Sequence, residues 1–100
     1  MRQITPCLVI RSFNDKGLRR FAERGDWSKL SVQKPDRIRD ILNALEAATA
    51  PGQMNIPGLR FHDLAPSRPG TYSVTVSGNW RITFRFSGQD AVDVDLEDYH

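Results

Sequence analysis

The side chains that could do chemistry lie mostly near the end of the sequence. The chain stops on Asp98-Tyr99-His100, and its other histidine, His62, lies on a separate predicted strand. Histidines titrate near neutral pH, so the two could share the roles of acid and base. Arg81 could hold a phosphate through two parallel hydrogen bonds, Tyr99 could stack on a base, and Asp98 could orient a neighbouring donor.

Each of these residues also has a purely structural interpretation. Two histidines on separate strands are more often surface residues than catalytic groups. Arg81 could simply pair with Asp93 or Asp95 on the neighbouring strand, and Tyr99 could pack on the sheet to fasten the terminus. A terminus is disordered by default unless something ties it down. Residue types alone therefore leave a catalytic role open.

The composition predicts one globular domain. The chain has 100 residues, of which 39% are apolar and 26% charged, which suits a modest single core. No apolar run is long enough to span a membrane, and Leu8-Val9-Ile10 is too short for a signal peptide. The only cysteine, Cys7, cannot pair within the chain. We therefore expect a cytoplasmic protein without a disulfide framework, a metal or a cofactor.

Positive charge is concentrated in the first part of the chain. Residues 1–39 hold ten Lys and Arg against four Asp and Glu, whereas residues 40–100 hold four against eight. A basic half suits a polyanion such as nucleic acid, although solvated helix faces would explain it equally well. The candidate residues for contact with nucleic acid are Lys16, Arg19, Arg20, Lys34, Arg37 and Arg39.

The spacing of apolar residues predicts two helices. The first covers residues 16–24, with Asn14 or Asp15 as its N-cap and Gly25 as its C-cap. The second opens at Pro35, which suits the first helical position. Its apolar residues recur at the spacing of a helix that lies on a core, namely Ile38, Ile41, Leu42, Leu45 and Ala48.

Residues with a period of two predict strands before and after the helices. An opening strand is expected over residues 8–13, and a loop over residues 49–58 leads to the later strands. Those are predicted at residues 59–64, 71–77, 80–86 and 92–96, with Gly78-Asn79 as a two-residue hairpin turn. The outward face would carry Arg81, Arg85, Asp93, Asp95 and Glu97, so cross-strand ion pairs are expected there.

The order of these elements resembles the small RelE/ParE-like bacterial toxins. The resemblance becomes specific to the HigB, or plasmid-maintenance killer, branch at residues 10–13, 16–18, 58–62, 72–74, 77–86 and 93–100, above all in the Gly-Asn-Trp-Arg hairpin and the terminal Asp-Tyr-His. It covers residues 9–100 as one toxin domain and leaves residues 1–8 outside, as an N-terminal extension that is either a natural arm or the result of an upstream start site. It implies an α+β fold of the RelE-like, microbial-ribonuclease type, with two N-terminal helices packed on a small, mainly antiparallel sheet.

The resemblance also implies an activity and partners. Members of that branch are toxins of type II toxin–antitoxin pairs that cleave messenger RNA in the ribosome. They are neutralised by a helix-turn-helix, HigA-like antitoxin, and a toxin dimer held through antitoxin chains would form a heterotetramer. Cleavage without a metal uses the neighbouring 2′-hydroxyl as nucleophile. The residues that the resemblance assigns to this reaction are His62, Arg81, Asp98, Tyr99 and His100.

One position departs from the family pattern. A lysine commonly lies three residues after the histidine that matches His62, and this chain has Ala65 there. Arg68 or Arg60 could reach in with a positive charge, although a guanidinium cannot donate a proton as a lysine can. The departure favours a second hypothesis, a non-catalytic or gyrase-blocking protein that acts through protein binding, since a fold alone does not determine function.

Overall fold

The computed structural model describes residues 10–98, which form two helices and one antiparallel sheet. The predicted arm, residues 1–8, and the first part of the predicted opening strand lie outside the described residues. Helix α1 is Lys16–Arg24 and helix α2 is Pro35–Ala47. Strands β1, His62–Asp63, β2, Tyr72–Ser77, β3, Trp80–Ser87, and β4, Asp90–Asp98, lie in the sheet in that order. This arrangement confirms the predicted α+β class.

Both helices begin and end where local chemistry predicts. The Asp15 side chain accepts a hydrogen bond from the Leu18 N–H at 2.7 Å, so Asp15 is the N-cap of α1. Gly25 ends that helix in the left-handed region, with φ at 72° and its N–H bound to the Phe21 carbonyl. Pro35 occupies the first turn of α2. Both helix predictions are therefore confirmed.

The core lies between the helices and one face of the sheet. Leu18 of α1 and Ile38, Ile41 and Leu45 of α2 are fully buried. Facing them, alternate residues of three strands are also fully buried, since successive side chains of a strand point to opposite faces. These strand residues are Val74, Ile82, Phe84 and Val94.

Two predicted strands are shorter than expected. Only His62–Asp63 of residues 59–64 is a strand, because Arg60 has a positive φ of 53° that interrupts the extended backbone. In the described part of the opening segment, Ile10 and Phe13 make isolated parallel bridges to Ala91 and Val94 of β4. That segment therefore covers part of the β4 edge without forming a continuous strand.

The second face of the sheet is less open than the sequence predicts. Ser73, Thr83 and Thr71 point away from the core and are nevertheless buried. The turn between β1 and β2 supplies Arg68, whose guanidinium reaches Glu97 on β4. We call this surface the outer face; it carries alternate residues of β2, β3 and β4, and the candidate site lies on it. No helix among residues 10–98 is long and apolar enough to cross a membrane.

Candidate active site

His62 and Arg81, two of the predicted catalytic residues, line one cavity on the outer face. The cavity has a volume of about 220 Å³ and is completed by Asp63, Leu64 and Ala65. His62 comes from the edge strand β1 and Arg81 from β3. The tertiary structure thus brings together a group that can transfer protons and a group that can bind a phosphate.

The His62 ring is exposed and oriented by its own strand. Its Nδ1 lies 3.2 Å from the Asp63 backbone carbonyl oxygen. A carbonyl only accepts hydrogen bonds, so in this contact Nδ1 carries the proton and donates it. Nε2 is then the nitrogen that can take a proton from a substrate.

Arg81 lies on β3, an inner strand of the sheet. It pairs in register with Thr75 of β2 and with Glu97 of β4, next to the Gly78-Asn79 hairpin turn. Its half-buried side chain points away from the core, because its neighbour Ile82 is fully buried on the opposite face. The guanidinium therefore lies on the outer face, near the start of β3.

The end of β4 lies at the same end of the sheet as Arg81. Asp98, the last residue that the structure describes, is exposed and pairs with Trp80, the neighbour of Arg81. The predicted catalytic residues Tyr99 and His100 lie outside the described residues. The sheet therefore brings two of the five predicted catalytic residues, His62 and Arg81, together on the outer face, whereas the register puts Asp98 beside Trp80 on the opposite face.

Ala65 lines the His62 cavity at the position where the resemblance led us to expect a lysine. Neither of the two arginines considered as replacements lines this cavity. Arg68 donates two hydrogen bonds to Glu97, at 3.0 and 2.9 Å, and lines a separate cavity. Arg60 is exposed and lies two residues before β1, with a positive φ. Arg81 is thus the cation of the cavity as far as residues 10–98 show.

Arg68, Glu97 and Thr83 form a charged network that the sequence did not predict. The Thr83 hydroxyl donates to the carboxylate that Arg68 also holds. The Arg68 hydrogen bonds keep the pKa of Glu97 below its usual value, against the opposing effect of burial. Burial, in contrast, raises the pKa of the neighbouring Asp95. Alternation along β3 and β4 placed Thr83 and Glu97 on one face, but nothing local to Arg68 pointed to this partner.

Cross-strand ion pairs were expected on this face, and among residues 10–98 Arg85 forms none with an acidic residue of β4. Asp93 lies in a β-bulge with a positive φ of 53°, where the register between β3 and β4 shifts. Its backbone N–H binds the Ser12 hydroxyl at 2.8 Å, and its carboxylate lies 3.5 Å from the same hydroxyl. The bulge puts Val92 and not Asp93 opposite Arg85, which strict alternation does not anticipate.

The basic residues of the helices divide into two groups. One group lies along α1 and lines a shallow cleft with Arg24 and Glu23: Lys16, Arg19 and Arg20. Within it Arg20 pairs with Asp26 at 2.7 Å, and the Ser28 hydrogen bonds lower the pKa of Asp26 to about 2. The other group lies at the start of α2, where Lys34 is the N-cap residue and Arg37 and Arg39 are in the first turns of the helix.

The second group is largely engaged in contacts within the fold. Arg37 donates to the backbone carbonyls of Gly58 and Thr75, at 2.8 and 3.2 Å. Arg39 pairs with Asp36 and also lies over the Phe21 ring, 5.9 Å from its centre. These contacts stabilise the start of α2, whereas Lys16 and Arg19 are exposed on α1 without an ion pair among residues 10–98.

Comparison with known proteins identifies relatives that span almost the whole chain. The family model of the HigB-like toxin, described as the RelE-like toxin HigB of type II toxin–antitoxin systems, matches residues 11–100. The chain is also similar to Endoribonuclease HigB of Proteus vulgaris, with 44% identity over 92 residues, 92% of this chain and 100% of that protein. The family match includes every residue that we predicted to be catalytic.

Proposed function

We propose a mechanism and partners from the premise that this chain belongs to the HigB-like family of RelE-like toxins of type II toxin–antitoxin systems. The family match confirms the resemblance that the hairpin and the terminal Asp98-Tyr99-His100 indicated. The protein is an endoribonuclease toxin that cleaves messenger RNA. Our proposal adds that it does so on the ribosome during translation, without a metal, through the outer face of the sheet.

The observation that carries the proposed mechanism is the cavity shared by His62 and Arg81. In this reaction the 2′-oxygen of a ribose attacks the adjacent phosphorus, and the bond to the 5′-oxygen of the next nucleotide breaks. A base takes the proton of the 2′-hydroxyl, and an acid supplies a proton to the leaving 5′-oxygen. Arg81 neutralises the charge that builds on the phosphate oxygens.

We assign the two proton transfers to His62 and His100. The Asp63 carbonyl holds the Nδ1 proton of His62, which leaves Nε2 directed to substrate. His100 follows Asp98 by two residues, and Asp98 pairs with Trp80, the residue before Arg81. We further assign Tyr99 to stacking on the base next to the cleaved bond and Asp98 to orienting a donor. General acid–base catalysis of this kind is worth about 10²- to 10⁴-fold in rate.

Ribosome binding is assigned to the exposed basic side of α1. Lys16, Arg19 and Arg20 lie on one side of that helix, and Lys16 and Arg19 have no ion pair among the described residues. Such a surface attracts ribosomal RNA electrostatically. Arg37 and Arg39 act more through the internal contacts described above. The partner that neutralises the toxin is, in this proposal, a helix-turn-helix, HigA-like antitoxin in a heterotetramer.

The decisive experiment is primer extension on cellular transcripts after induced expression of the wild type, H62A, R81Q and H100A. Cuts within translated regions are expected from the wild type. They should fall at least about 100-fold in H62A and H100A through loss of acid–base catalysis, and about 100-fold or more in R81Q through loss of charge stabilisation at the phosphate. A reporter whose start codon is removed should remain intact. Growth arrest with intact transcripts would refute the catalytic proposal and favour the gyrase-blocking or other protein-binding alternative.

A complementary variant tests the missing cation directly. Ala65 is exposed and lines the His62 cavity, so A65K adds a flexible ammonium group there without displacing a packed side chain. We expect A65K to increase the rate of transcript cleavage, because a further positive charge would stabilise the developing phosphate charge. The matched control is A47K on the exposed side of α2, away from the outer face. An equal effect of both lysines would exclude a local contribution at residue 65.

A further inference from the structure

A second cavity lies on the outer face, beyond Arg68, and the mechanism above does not use it. Its volume is about 370 Å³, larger than that of the His62 cavity. It is formed where the β1–β2 turn, the middle of β3 and the bulge of β4 meet Asn14, which precedes the N-cap of α1. Its lining residues are Asn14, Arg68, Pro69, Thr71, Thr83, Arg85 and Asp93.

Arg85 gives this cavity an available positive charge. Its side chain is exposed, and it forms no ion pair with a described residue. The guanidinium lies beside the turn, with Nη2 3.8 Å from the position of a Cβ built on Gly70. The other guanidinium of the cavity, Arg68, is already bound to both oxygens of Glu97. An anion entering the cavity would therefore meet Arg85 as its free partner.

The remaining lining groups match a sugar better than a second anion. Asn14 offers an amide and Thr71 a hydroxyl, whereas the Thr83 hydroxyl already donates to Glu97. Asp93 contributes a carboxylate, which repels an anion but accepts hydrogen bonds from hydroxyl groups. A cavity with a guanidinium that can bind a phosphate and an acceptor that can bind a ribose hydroxyl is suited to one nucleotide of a nucleic-acid strand.

The two cavities lie along the same strand. Arg81, Thr83 and Arg85 are alternate residues of β3 and point to the same face. At about 3.4 Å per residue, the Cα atoms of Arg81 and Arg85 are separated by roughly 13 Å along β3. Thr83 lies between them and lines the larger cavity. A strand of RNA bound at Arg81 could therefore continue along β3 to Arg85, passing over the Arg68–Glu97 pair that covers Thr83.

We propose that the larger cavity binds a neighbouring nucleotide of the messenger RNA through its phosphate and ribose. Arg85 binds the phosphate, and Asn14 and Asp93 bind the sugar. This inference rests on the proposed cleavage at the His62 cavity and extends the substrate site along β3. Among residues 10–98 no aromatic side chain lines the cavity, so the described part of the chain gives it no platform on which to stack a base. The contact is consequently independent of base identity.

The lining favours RNA over a segment of a protein partner. Sites that anchor a protein partner usually bury aromatic or large apolar side chains in a pocket. Here Pro69 is the one apolar residue among the seven that line the cavity. The polar lining and the free guanidinium are those of a backbone contact to nucleic acid.

The test compares R85Q and R85K with the wild type and with K29Q. Lys29 is an exposed residue on the loop between the helices, so K29Q removes one positive charge elsewhere. The probe is a short single-stranded RNA that keeps its 2′-hydroxyl groups. It should stay uncut because the proposed cleavage requires the ribosome, and gel electrophoresis after each titration checks that it is intact. Its affinity is measured at several salt concentrations, because each phosphate contact to a single strand contributes about 0.7 to the slope of log affinity against log salt.

We expect R85Q to weaken binding of every RNA sequence alike and to lower the slope by about 0.7. R85K keeps the charge and should retain the slope, as should K29Q. In nuclear magnetic resonance titrations the Arg85 Nε–H and the Thr71 and Thr83 amides should shift with RNA in the wild type. An unchanged slope in R85Q, a slope lowered equally in K29Q, or shifts confined to His62 and Arg81 would overturn the proposal.

Two further outcomes separate this inference from the proposed function. Wild-type protein that cuts transcripts, together with an R85Q variant that binds RNA normally, would overturn the cavity assignment alone. Normal RNA binding by R85Q with weakened antitoxin binding would also overturn it and assign the cavity to the protein partner. Loss of transcript cleavage from wild type, in contrast, would refute the premise on which the inference rests.

Discussion

Removal of the Arg68–Glu97 ion pair is expected to loosen the turn that separates the two cavities. R68Q takes away both hydrogen bonds to the Glu97 carboxylate. Those bonds connect the β1–β2 turn to β4, the opposite edge of the sheet. They also cover Thr83, whose hydroxyl donates to the same carboxylate. The variant therefore leaves Glu97 with the Thr83 hydroxyl as its remaining described side-chain partner.

The size of the effect follows from the geometry and exposure of the pair. Charge-assisted hydrogen bonds contribute about 1.5–3 kcal/mol when they are sheltered, whereas exposed ion pairs contribute about 0.2–1 kcal/mol. The Arg68 and Glu97 side chains are 41% and 24% exposed, which is intermediate. We expect R68Q to reduce the free energy of unfolding by about 1–2 kcal/mol. For a domain of this size each kcal/mol corresponds to about 4–8 °C in Tm.

A double-mutant cycle measures the pair itself. R68Q, E97Q and the combined variant are compared by urea unfolding, and the coupling energy should be about 1 kcal/mol. The matched control is the Arg11–Asp90 pair, which has one contact at 3.2 Å between side chains that are 61% and 38% exposed. Its coupling should be close to zero. A coupling for Arg68–Glu97 no larger than that of the control pair would refute the reasoning.

The effect of R68Q should also depend on pH in a defined direction. Arg68 holds the pKa of Glu97 below its usual 4.5, so the stabilisation is complete above the unfolded-state value. It is lost as the pH falls through the lowered folded-state pKa. The difference in unfolding free energy between wild type and R68Q should therefore be full at pH 7 and shrink in acid. A difference that grows as the pH falls below 4.5 would contradict the assigned interaction.

Three further predictions concern the helices and the sheet. D15A removes the cap that accepts the Leu18 N–H, and it should cost about 1 kcal/mol in thermal unfolding, whereas no change in Tm would exclude a capping role. G17A places a Cβ 2.2 Å from the Lys29 carbonyl oxygen, so it should reduce the free energy of unfolding by about 1–3 kcal/mol despite the better helix propensity of alanine. Thermal unfolding followed by circular dichroism should show a lower Tm, and a higher Tm would mean that the loop around Lys29 moves freely. Burial raises the pKa of Asp95, which penalises its charged form at neutral pH and relieves the penalty as the pH falls through the raised value. D95N should therefore raise stability at pH 7 and lose that advantage in acid, and an advantage that persists unchanged in acid would show that charge is not its cause.

The helices could be predicted because their signals are local. Asp15 and Gly25 cap α1 through contacts within one helical turn, and Pro35 begins α2 by its own backbone geometry. The apolar spacing of α2 likewise identified its buried side, where Ile38, Ile41 and Leu45 are fully buried. Such features depend on neighbouring residues of the chain, which a sequence displays directly.

The sheet was predicted in outline and misjudged where its backbone departs from regularity. The hairpin and the alternation of β3 are as expected, with Ile82 and Phe84 buried and Arg85 exposed. The positive φ values of Arg60 and Asp93 shorten β1 and shift the register of β4. Both are non-glycine residues, in which a left-handed backbone is uncommon. The residue types at these two positions therefore did not predict the shorter β1 or the register shift of β4.

The candidate site shows the same division between what the sequence and the tertiary structure determine. The sequence by itself determined the family, through the Gly-Asn-Trp-Arg hairpin and the terminal Asp98-Tyr99-His100, and it named His62 and Arg81. Only the tertiary structure decided that these two share a cavity, that Arg68 binds Glu97 instead of replacing the missing lysine, and that Arg85 lies in a second cavity. The physical reason is that residue types and local spacing are properties of the chain, whereas the partner of a charge depends on which distant segments the fold brings within a few ångströms.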